Sequence, residues 1–375
     1  MSGNDNSSES MSGLPAAHGK APDWRIYRGT GRPLPDVNLA ESLPPPPPWR
    51  VFAGEPLPAS DEPPADDGEA DRRLGSEFHL TERDIDPNEV DMVNAALYLR
   101  RPLLVTGPPG TGKSSIAFKI VRELGLGRVL RWPITSHTTL KEGLYLYDAI
   151  GRAQAAATRQ IAAKADAIAG AHGSTEFLAE LPIGEFVKLG PLGTAFLPRR
   201  LPRVLLIDEL DKSEADLPND LLGIFEDGEV NIPELARARD RTPEVSVFTD
   251  DPAATATIVG GSLRCRAFPM IVITSNGERD FPPAFLRRCL RLETRAPDAE
   301  QLAKMVANHL TDPDGELRNR LVREFVERSA ETGGLPADKL MDAVYLATSG
   351  AYEAGDPSWS RLRDALWREL SSLVP

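Results

Sequence analysis

A glycine-rich stretch that follows a short apolar run sharply narrows the possible folds of this chain. It reads Leu103-Leu104-Val105-Thr106-Gly107-Pro108-Pro109-Gly110-Thr111-Gly112-Lys113-Ser114 and fits the pattern G-x-x-x-x-G-K-[ST]. The glycines allow a tight turn in which successive backbone N–H groups point inward at an anion. A helix predicted to begin at Lys113 adds its positive dipole end. The stretch therefore predicts a buried strand, a phosphate-binding loop and a helix, in that order.

This loop is predicted to bind a nucleoside triphosphate. The Lys113 ammonium group would reach the β- and γ-phosphates, and the Ser114 hydroxyl would be a ligand of Mg²⁺. The apolar strand before the loop and the helical pattern after it argue against a chance match. The predicted nucleotide-binding residues here are Gly107, Pro108, Pro109, Gly110, Thr111, Gly112, Lys113, Ser114 and Ser115.

The length and composition of the chain restrict its number of domains, its partners and its location. A chain of 375 residues has room for about two or three domains. The formal net charge of −13 argues against a general nucleic-acid-binding protein, although a local basic patch stays compatible with it. No apolar run is long enough to span a membrane, and the polar residues 1–12 do not resemble a secretion signal. Cys265 and Cys289 are expected to be reduced thiols, which favours a cytoplasmic location.

Residues 1–80 differ from the rest of the chain. They contain 13 of its 34 prolines, including the run Pro44–Pro48, and an acidic stretch over 61–71. Such a composition buries little apolar surface, so this segment is predicted to be largely extended or disordered. The aromatic residues near its middle leave two interpretations open for Leu43–Phe52. It is either part of a free tail or a polyproline helix with an aromatic anchor, docked on this chain or on a partner.

Beyond about residue 81, short apolar runs alternate with helical patterns, which predicts an α/β fold with a parallel sheet covered by helices. Strands are predicted at the loop, at 129–134, at 203–207 and at 270–274, with helices near 86–97 and 140–150. An alanine-rich helix is predicted within a solvent-facing insertion at about 151–180. After Pro297 the pattern is helical only, at about 298–310, 316–330, 336–348 and 358–373. The predicted domains are therefore 81–296 (α/β) and 297–375 (helical), preceded by the proline-rich segment 1–80.

Polar side chains follow two of these strands. Asp208 and Glu209 come directly after the apolar run 204–207, and Asn276 follows the run 270–274. Ligands of open α/β sheets bind at the carboxyl ends of the strands. We therefore expect Asp208 to hold Mg²⁺ through water, Glu209 to polarise the attacking water, and Asn276 to orient that water or to sense the γ-phosphate. For an isolated Asn-Gly pair, a simple turn would be the better interpretation of Asn276.

In this order and spacing, the motifs resemble those of the AAA+ ATPases, and within them the MoxR-like branch of dynein-related type. Gly107–Ser114 matches Walker A, 207–209 matches Walker B, and Asn276 matches sensor 1. Two further stretches, 189–192 and 221–230, are similar to segments of MoxR-type proteins. The proline-rich start of the chain looks like that of MoxR-type ATPases associated with von Willebrand factor A-domain partners in bacterial defence-like systems.

The resemblance implies more than the nucleotide site. It implies ATP and Mg²⁺ as cofactors, a homo-oligomer that forms a hexameric ring, and a protein client or a von Willebrand factor A-type partner. It also implies an arginine finger that reaches into the neighbouring subunit, for which Arg288 matches best and Arg287 second. The family expects a sensor 2 arginine near 334–339, where this chain has only Lys339, a point charge without the bidentate fork.

Three functions are compatible with these patterns. The leading one is an ATPase that hydrolyses ATP at subunit interfaces and remodels or activates a partner protein. The alternative is a nucleotide-dependent switch or scaffold with slow hydrolysis, which the missing sensor 2 arginine favours. A nucleic-acid motor is the poorest match because the chain is acidic. Nothing in the phosphate loop reads adenine, so the choice between ATP and GTP stays open.

Overall fold

The structure is a computed structural model, in which we describe residues 24–55, 64–65, 67–75, 85–168, 181–295, 297–309, 316–331, 335, 337–349 and 357–367. Within these ranges, no helix has both the length and the apolar character needed to cross a bilayer.

The described residues form eleven strands and fourteen α-helices. The strands are β1 (Leu103–Thr106), β2 (Leu130–Pro133), β3 (Tyr145–Tyr147), β4 (Val187–Leu189), β5 (Val204–Asp208), β6 (Glu229–Asn231), β7 (Glu244–Phe248), β8 (Thr255–Val259), β9 (Ser262–Arg264), β10 (Met270–Ser275) and β11 (Leu290–Glu293). The helices are α1 (Leu39–Ser42), α2 (Glu69–Leu74), α3 (Pro87–Leu99), α4 (Ser115–Leu124), α5 (Leu140–Leu144), α6 (Ala149–Ile168), α7 (Pro191–Ala195), α8 (Leu217–Asp227), α9 (Pro233–Ala238), α10 (Pro283–Leu286), α11 (Ala299–His309), α12 (Glu316–Glu331), α13 (Ala337–Thr348) and α14 (Pro357–Leu366).

A five-stranded parallel sheet forms the centre of the molecule. Its strand order is β11-β1-β10-β5-β2, with Leu103 beside Val272 and Val272 beside Leu206. Both faces of the sheet are covered, because alternate residues of its strands enter two different apolar cores. One core includes α3 and α4, and the other includes α7, α8 and a second sheet. Burial on both faces explains why these strands are continuous apolar runs. The edge strand β11 was not among the predicted strands.

The second sheet was also missed by the sequence prediction. It has the order β3-β4-β7-β8-β9-β6, and most of its pairs are antiparallel. One face is buried and the other is exposed, as the alternating burial along β7 shows. The prediction of a helix over 140–150 is wrong here. A capping box at Thr139 starts the short helix α5, but the chain turns extended at Tyr145 and pairs with β4.

The alanine-rich helix α6 lies on the surface, as predicted. None of its described side chains is buried, so its stability derives from the helix propensity of alanine more than from packing. Residues 169–180 of the predicted insertion lie outside the described residues.

Helices α11–α14 form a separate apolar core at the C-terminal end, built around Leu302, Phe325, Leu340 and Trp367. The central parallel sheet with flanking helices and this helical region confirm the predicted fold class. The last helix ends at Leu366, and the predicted helical residues beyond 367 lie outside the described range.

The described part of the proline-rich segment packs on the α/β domain and contributes to its core. We call residues 24–55 the N-terminal strap; most of it is extended and without regular structure. Ile26 and Tyr27 are buried in the core beside α3 and α4. Two interpretations were left open for Leu43–Phe52, a free tail or a docked segment, and in the structure this segment is docked on the α/β domain. The anchor is not Trp49, which is 76% exposed, but the buried Arg50 together with Phe52, which stacks on Phe268.

Candidate nucleotide-binding site

The predicted phosphate loop connects β1 to α4 at the carboxyl end of the central sheet. Gly107 has no room for a side chain, since a Cβ atom there would lie 2.3 Å from Thr294 Oγ1. Gly112 has free space around it but a φ of +77°, a left-handed conformation that favours glycine. The two glycines thus have different physical roles. Gly107 allows Thr294 to lie close to the start of the loop, and Gly112 allows the left-handed backbone conformation at its end.

The Lys113 side chain folds back across the loop. Its ammonium group donates to the carbonyl oxygens of Gly107 (2.9 Å) and Pro108 (2.8 Å). Burial lowers the pKa of Lys113, and the nearby carboxylates of Asp211, Glu209 and Asp208 oppose that effect. Three acidic side chains thus act electrostatically on one buried cation. Such a cation is available for an anionic ligand, because a phosphate can replace the two carbonyl oxygens.

The ends of β5 and β10 bring three oxygen-bearing side chains together. Ser114 Oγ lies 2.7 Å from Asp208 Oδ1, and Thr274 Oγ1 lies 2.8 Å from the same carboxylate oxygen. Mg²⁺ is bound in proteins by one or two carboxylates together with hydroxyl groups, waters and substrate phosphates. The hard oxygen set of Ser114 and Asp208 fits that preference. Among the described residues, no group of three or more His, Cys, Asp or Glu could hold a metal ion.

Glu209 is held by contacts on both sides. Its backbone is left-handed, with φ 62°, and its N–H donates to Thr274 Oγ1 at 2.8 Å. One carboxylate oxygen accepts from Lys212 Nζ at 2.7 Å, and the other lies 3.4 Å from Asn276 Nδ2. A non-glycine residue with positive φ is strained, and such strain is common where a side chain is aimed at a reaction centre.

The structure thus brings together most of the predicted site residues. Lys113, Ser114, Asp208, Glu209 and Asn276 lie at the ends of three adjacent strands, while Pro108, Pro109 and Gly110 form the exposed rim of the loop. At that rim Thr111 Oγ1 is hydrogen-bonded to Thr294 Oγ1 at 2.8 Å. Ser115 begins α4, two residues after the predicted helix start.

Three other predicted residues lie apart from this cluster. Arg288, which follows α10, pairs with Glu226 of α8 at 3.0 Å, and the neighbouring Arg287 is exposed. Lys339 lies in α13 of the C-terminal helices, half-buried. Among the described residues, none of these three side chains bonds to the phosphate loop. Their assigned roles require either a neighbouring subunit or a movement of the helical region, and they stay predictions.

Two residues of the cluster were not predicted. Thr274 bonds both Asp208 and Glu209, but in the sequence it is indistinguishable from any β-branched strand residue. Thr294 follows the edge strand β11 and donates to the carbonyl oxygen of Thr106, the last residue of β1 before the phosphate loop, at 3.2 Å. Neither threonine is marked by a local sequence pattern.

A cavity of about 550 Å³ lies elsewhere, between the second sheet and α9. It is lined by charged side chains that include Arg237, Glu185 and Glu244, and it contains none of the predicted site residues.

Comparison with known proteins assigns the family. Residues 102–289, just over half of the chain, match the family described as AAA domain (dynein-related subfamily). The chain belongs to this family. Nucleotide binding and hydrolysis are general properties of the family, and the residues described above lie within the matched range, apart from Thr294 and Lys339.

The comparisons with whole proteins and solved structures add little to this assignment. No curated protein matches the chain significantly. The structure of C. elegans PCH-2 overlaps with 15% identity and a TM-score of 0.32, covering 78% of this chain and 64% of PCH-2. Domain III of the Thermotoga maritima replication initiation protein DnaA overlaps with 14% identity and a TM-score of 0.37, covering 82% of this chain and 100% of that one. This AAA protein thus spans less than two thirds of PCH-2, and its family assignment rests on the sequence match.

Proposed function

We propose that this protein is a MoxR-like AAA+ ATPase, which hydrolyses ATP in the presence of Mg²⁺ at the interfaces of a ring and thereby remodels or activates a partner protein. The observation that carries the proposal is the convergence of Lys113, Ser114, Asp208, Glu209 and Asn276 at the ends of three adjacent parallel strands. Triphosphate binding, Mg²⁺ binding and activation of the attacking water then each have a residue of suitable chemistry within this one cluster.

In the proposed mechanism, the backbone of the phosphate loop and Lys113 bind the triphosphate. Ser114 and Asp208 would hold Mg²⁺, which supplies charge neutralisation at the phosphates. Glu209 accepts a proton from the attacking water, and Asn276 orients that water beside Glu209. Arg288 or Arg287 of a neighbouring subunit stabilises the charge that develops on the γ-phosphate.

We assign the helical region 297–375 as the lid and the segment 81–296 as the ATPase domain.

The decisive experiment is the substitution Glu209→Gln. It should preserve the affinity for ATP while turnover falls by about 10²-fold or more, as expected for loss of a general base. Glu214→Gln is a matched control, because Glu214 is an exposed glutamate on the same connection after β5. Unchanged turnover in Glu209→Gln would contradict the mechanism. The variant should also retain a bound client in a pull-down, since it stalls in the ATP state.

The second candidate is a nucleotide-dependent switch, and two observations favour it. The position expected for the sensor 2 arginine is occupied by Lys339. In addition, both carboxylate oxygens of Glu209 are already engaged, by Lys212 and by Asn276. In a switch, turnover of the purified protein would stay slow even with its partner, whereas a remodelling ATPase would be stimulated.

Several finer assignments belong to the same proposal. The base is adenine by family resemblance alone, and competition between ATP and GTP tests that choice directly. A von Willebrand factor A-type partner and a cytoplasmic location are proposed on the same basis. Nucleic acid is a poor partner for a chain with a net charge of −13, so added DNA should leave the turnover unchanged.

A further inference from the structure

One buried carboxylate beside the site has no role in the mechanism above. Asp211 lies in the 3₁₀ turn Leu210–Lys212 that follows β5, and it is only 3% exposed. Its Oδ1 atom is buried and has no hydrogen-bond partner. A buried charge with an open acceptor is costly unless the surrounding structure needs it, so its contacts are informative.

The other oxygen of Asp211 organises the turn that carries Asn276. Asp211 Oδ2 accepts the backbone N–H of Asn276 at 2.9 Å and that of Glu278 at 3.1 Å. Between them, Gly277 has a φ of +78°, and its N–H donates to Ser275 Oγ at 3.0 Å. Three successive N–H groups after β10 are therefore fixed by two side chains. This turn leaves the Asn276 amide 3.4 Å from Glu209.

The charge of Asp211 also acts on the phosphate loop. Among the carboxylates that counteract the effect of burial on the Lys113 pKa, Asp211 has the largest influence. It contacts the backbone of the turn after β10 directly and acts on the loop through its charge.

We propose that Asp211 is a positioning residue, which fixes the backbone of Asn276 so that the Asn276 amide faces Glu209 and the attacking water. The inference rests on the proposed ATPase function and deepens it. In this proposal Asp211 acts through the backbone of Asn276 and takes no direct part in the reaction. A side chain at 211 without an acceptor atom leaves two N–H groups unpaired, and the turn is then free to rotate the amide away.

The first test compares Asp211→Ala with Asp211→Asn. The alanine variant should lower kcat by about 10²-fold, the loss typical of a misplaced group, and change the affinity for ATP by less than about 3-fold. The asparagine variant keeps an oxygen that can accept both N–H groups, so its kcat should stay within about 5-fold of the original protein. A kcat for Asp211→Ala equal to that of the original protein would overturn the proposal.

A double-mutant cycle with Asn276→Ala separates positioning from an independent effect. If Asp211 acts through Asn276, adding Asp211→Ala to Asn276→Ala should cause no further loss of kcat. If the two losses multiply, Asp211 acts by another route and the proposal fails. Glu123→Gln is the matched control, because Glu123 is also buried and also accepts two backbone N–H groups, from Arg28 and Gly31. It lies at the far end of α4 and should alter the melting temperature without altering kcat.

A final measurement needs neither turnover nor a folded variant. In the original protein, amide hydrogen exchange at Asn276 and Glu278 should be slow, although both residues lie in a surface turn. Rapid exchange at both amides would overturn the proposal. If the protein shows no ATPase activity at all, the proposed function fails, whereas slow exchange would still show that the two amides that donate to Asp211 are protected.

Discussion

Two regions of this protein contain many hydrogen bonds of polar side chains, and the partners of those bonds differ. In the nucleotide-binding site, several side chains bond to one another, namely Ser114 and Thr274 to Asp208, and Lys212 and Asn276 to Glu209, although Lys113 and Asp211 bond to backbone. Beneath the N-terminal strap, the most deeply buried polar side chains bond to backbone. Asn94 bonds N–H and carbonyl groups of Ile26 and Tyr27, and Glu123 and Arg50 bond further backbone groups.

This difference indicates which side chains matter for the reaction and which matter for the stability of the fold. A bond between two side chains can be exchanged for a bond to phosphate or water, so the site can rearrange when a ligand arrives. A bond from a buried side chain to backbone fixes the course of the chain, and its loss leaves an unpaired peptide group. Substitutions in the site should therefore change turnover more than stability, and substitutions beneath the strap should do the reverse.

The largest effect is expected at the arginine finger, which would extend the site across a subunit boundary. Arg288→Ala should reduce turnover by about 10³-fold, the lower end of the range for arginine fingers, with little change in the melting temperature. The salt bridge that it loses, to Glu226, is exposed and contributes little to stability. Arg287→Ala serves as the comparison.

Mixing experiments test whether that arginine acts across the boundary. Arg288→Ala and Lys113→Ala subunits should each be inactive alone, but an equal mixture should regain turnover, because some interfaces then combine an intact Lys113 with an intact Arg288. If the mixture is as inactive as its two components, Arg288 acts in the active site of its own subunit. If Arg287→Ala has the larger effect, the finger is Arg287.

The next effect in size concerns the strap. Arg50 donates to Arg100 O at 2.8 Å and to Phe225 O at 2.7 Å, at the ends of α3 and α8, and its guanidinium group lies against Phe268. Arg50→Met should lower the free energy of unfolding by about 3 kcal/mol, because two buried carbonyl groups lose their donors. The affinity for ATP should be unchanged. The adjacent Trp49→Ala is the control and should cost less than about 0.5 kcal/mol, since Trp49 is exposed.

The same contrast explains how far the sequence could predict this molecule. Continuous apolar runs such as 204–207 predict buried parallel strands, and polar residues directly after them predict the site, because both signals are local. Asp208, Glu209 and Asn276 could be identified for that reason.

The remaining features depend on distant residues. Strand β7 is short and alternates exposed with buried positions, and its pairing with β8, β4 and the rest of the second sheet is a long-range property. Arg50 contacts Phe225 across 175 positions, so no local pattern marks it as buried. Thr274 and Asp211 are equally inconspicuous, since their roles come from the turns that packing places beside them.

A smaller effect should appear in the pH dependence of stability. Burial raises the pKa of Glu123 above its usual value, while the backbone N–H groups of Arg28 and Gly31 partly oppose that shift. A carboxyl group whose pKa is raised in the folded state contributes most stability when protonated, and that contribution is lost as the pH rises through the folded pKa. Compared with the original protein, Glu123→Gln should therefore become relatively more stable as the pH rises above about 4.3. Urea unfolding at several pH values measures this difference, and a difference independent of pH would contradict it.

The smallest effect is expected where the site touches solvent. Lys212 pairs with Glu209 at 2.7 Å, but both side chains are about two-fifths exposed. An exposed pair of this kind is worth at most about 1 kcal/mol, which limits the change in turnover for Lys212→Met to about 5-fold. Because Lys212 occupies one oxygen of the Glu209 carboxylate, its removal leaves that oxygen open to accept a proton, and the change should be an increase. Its size should shrink in high salt, which already screens the pair. A decrease of 10-fold or more would mean that Lys212 supports the reaction directly, and the site would then have a second cation beside Lys113.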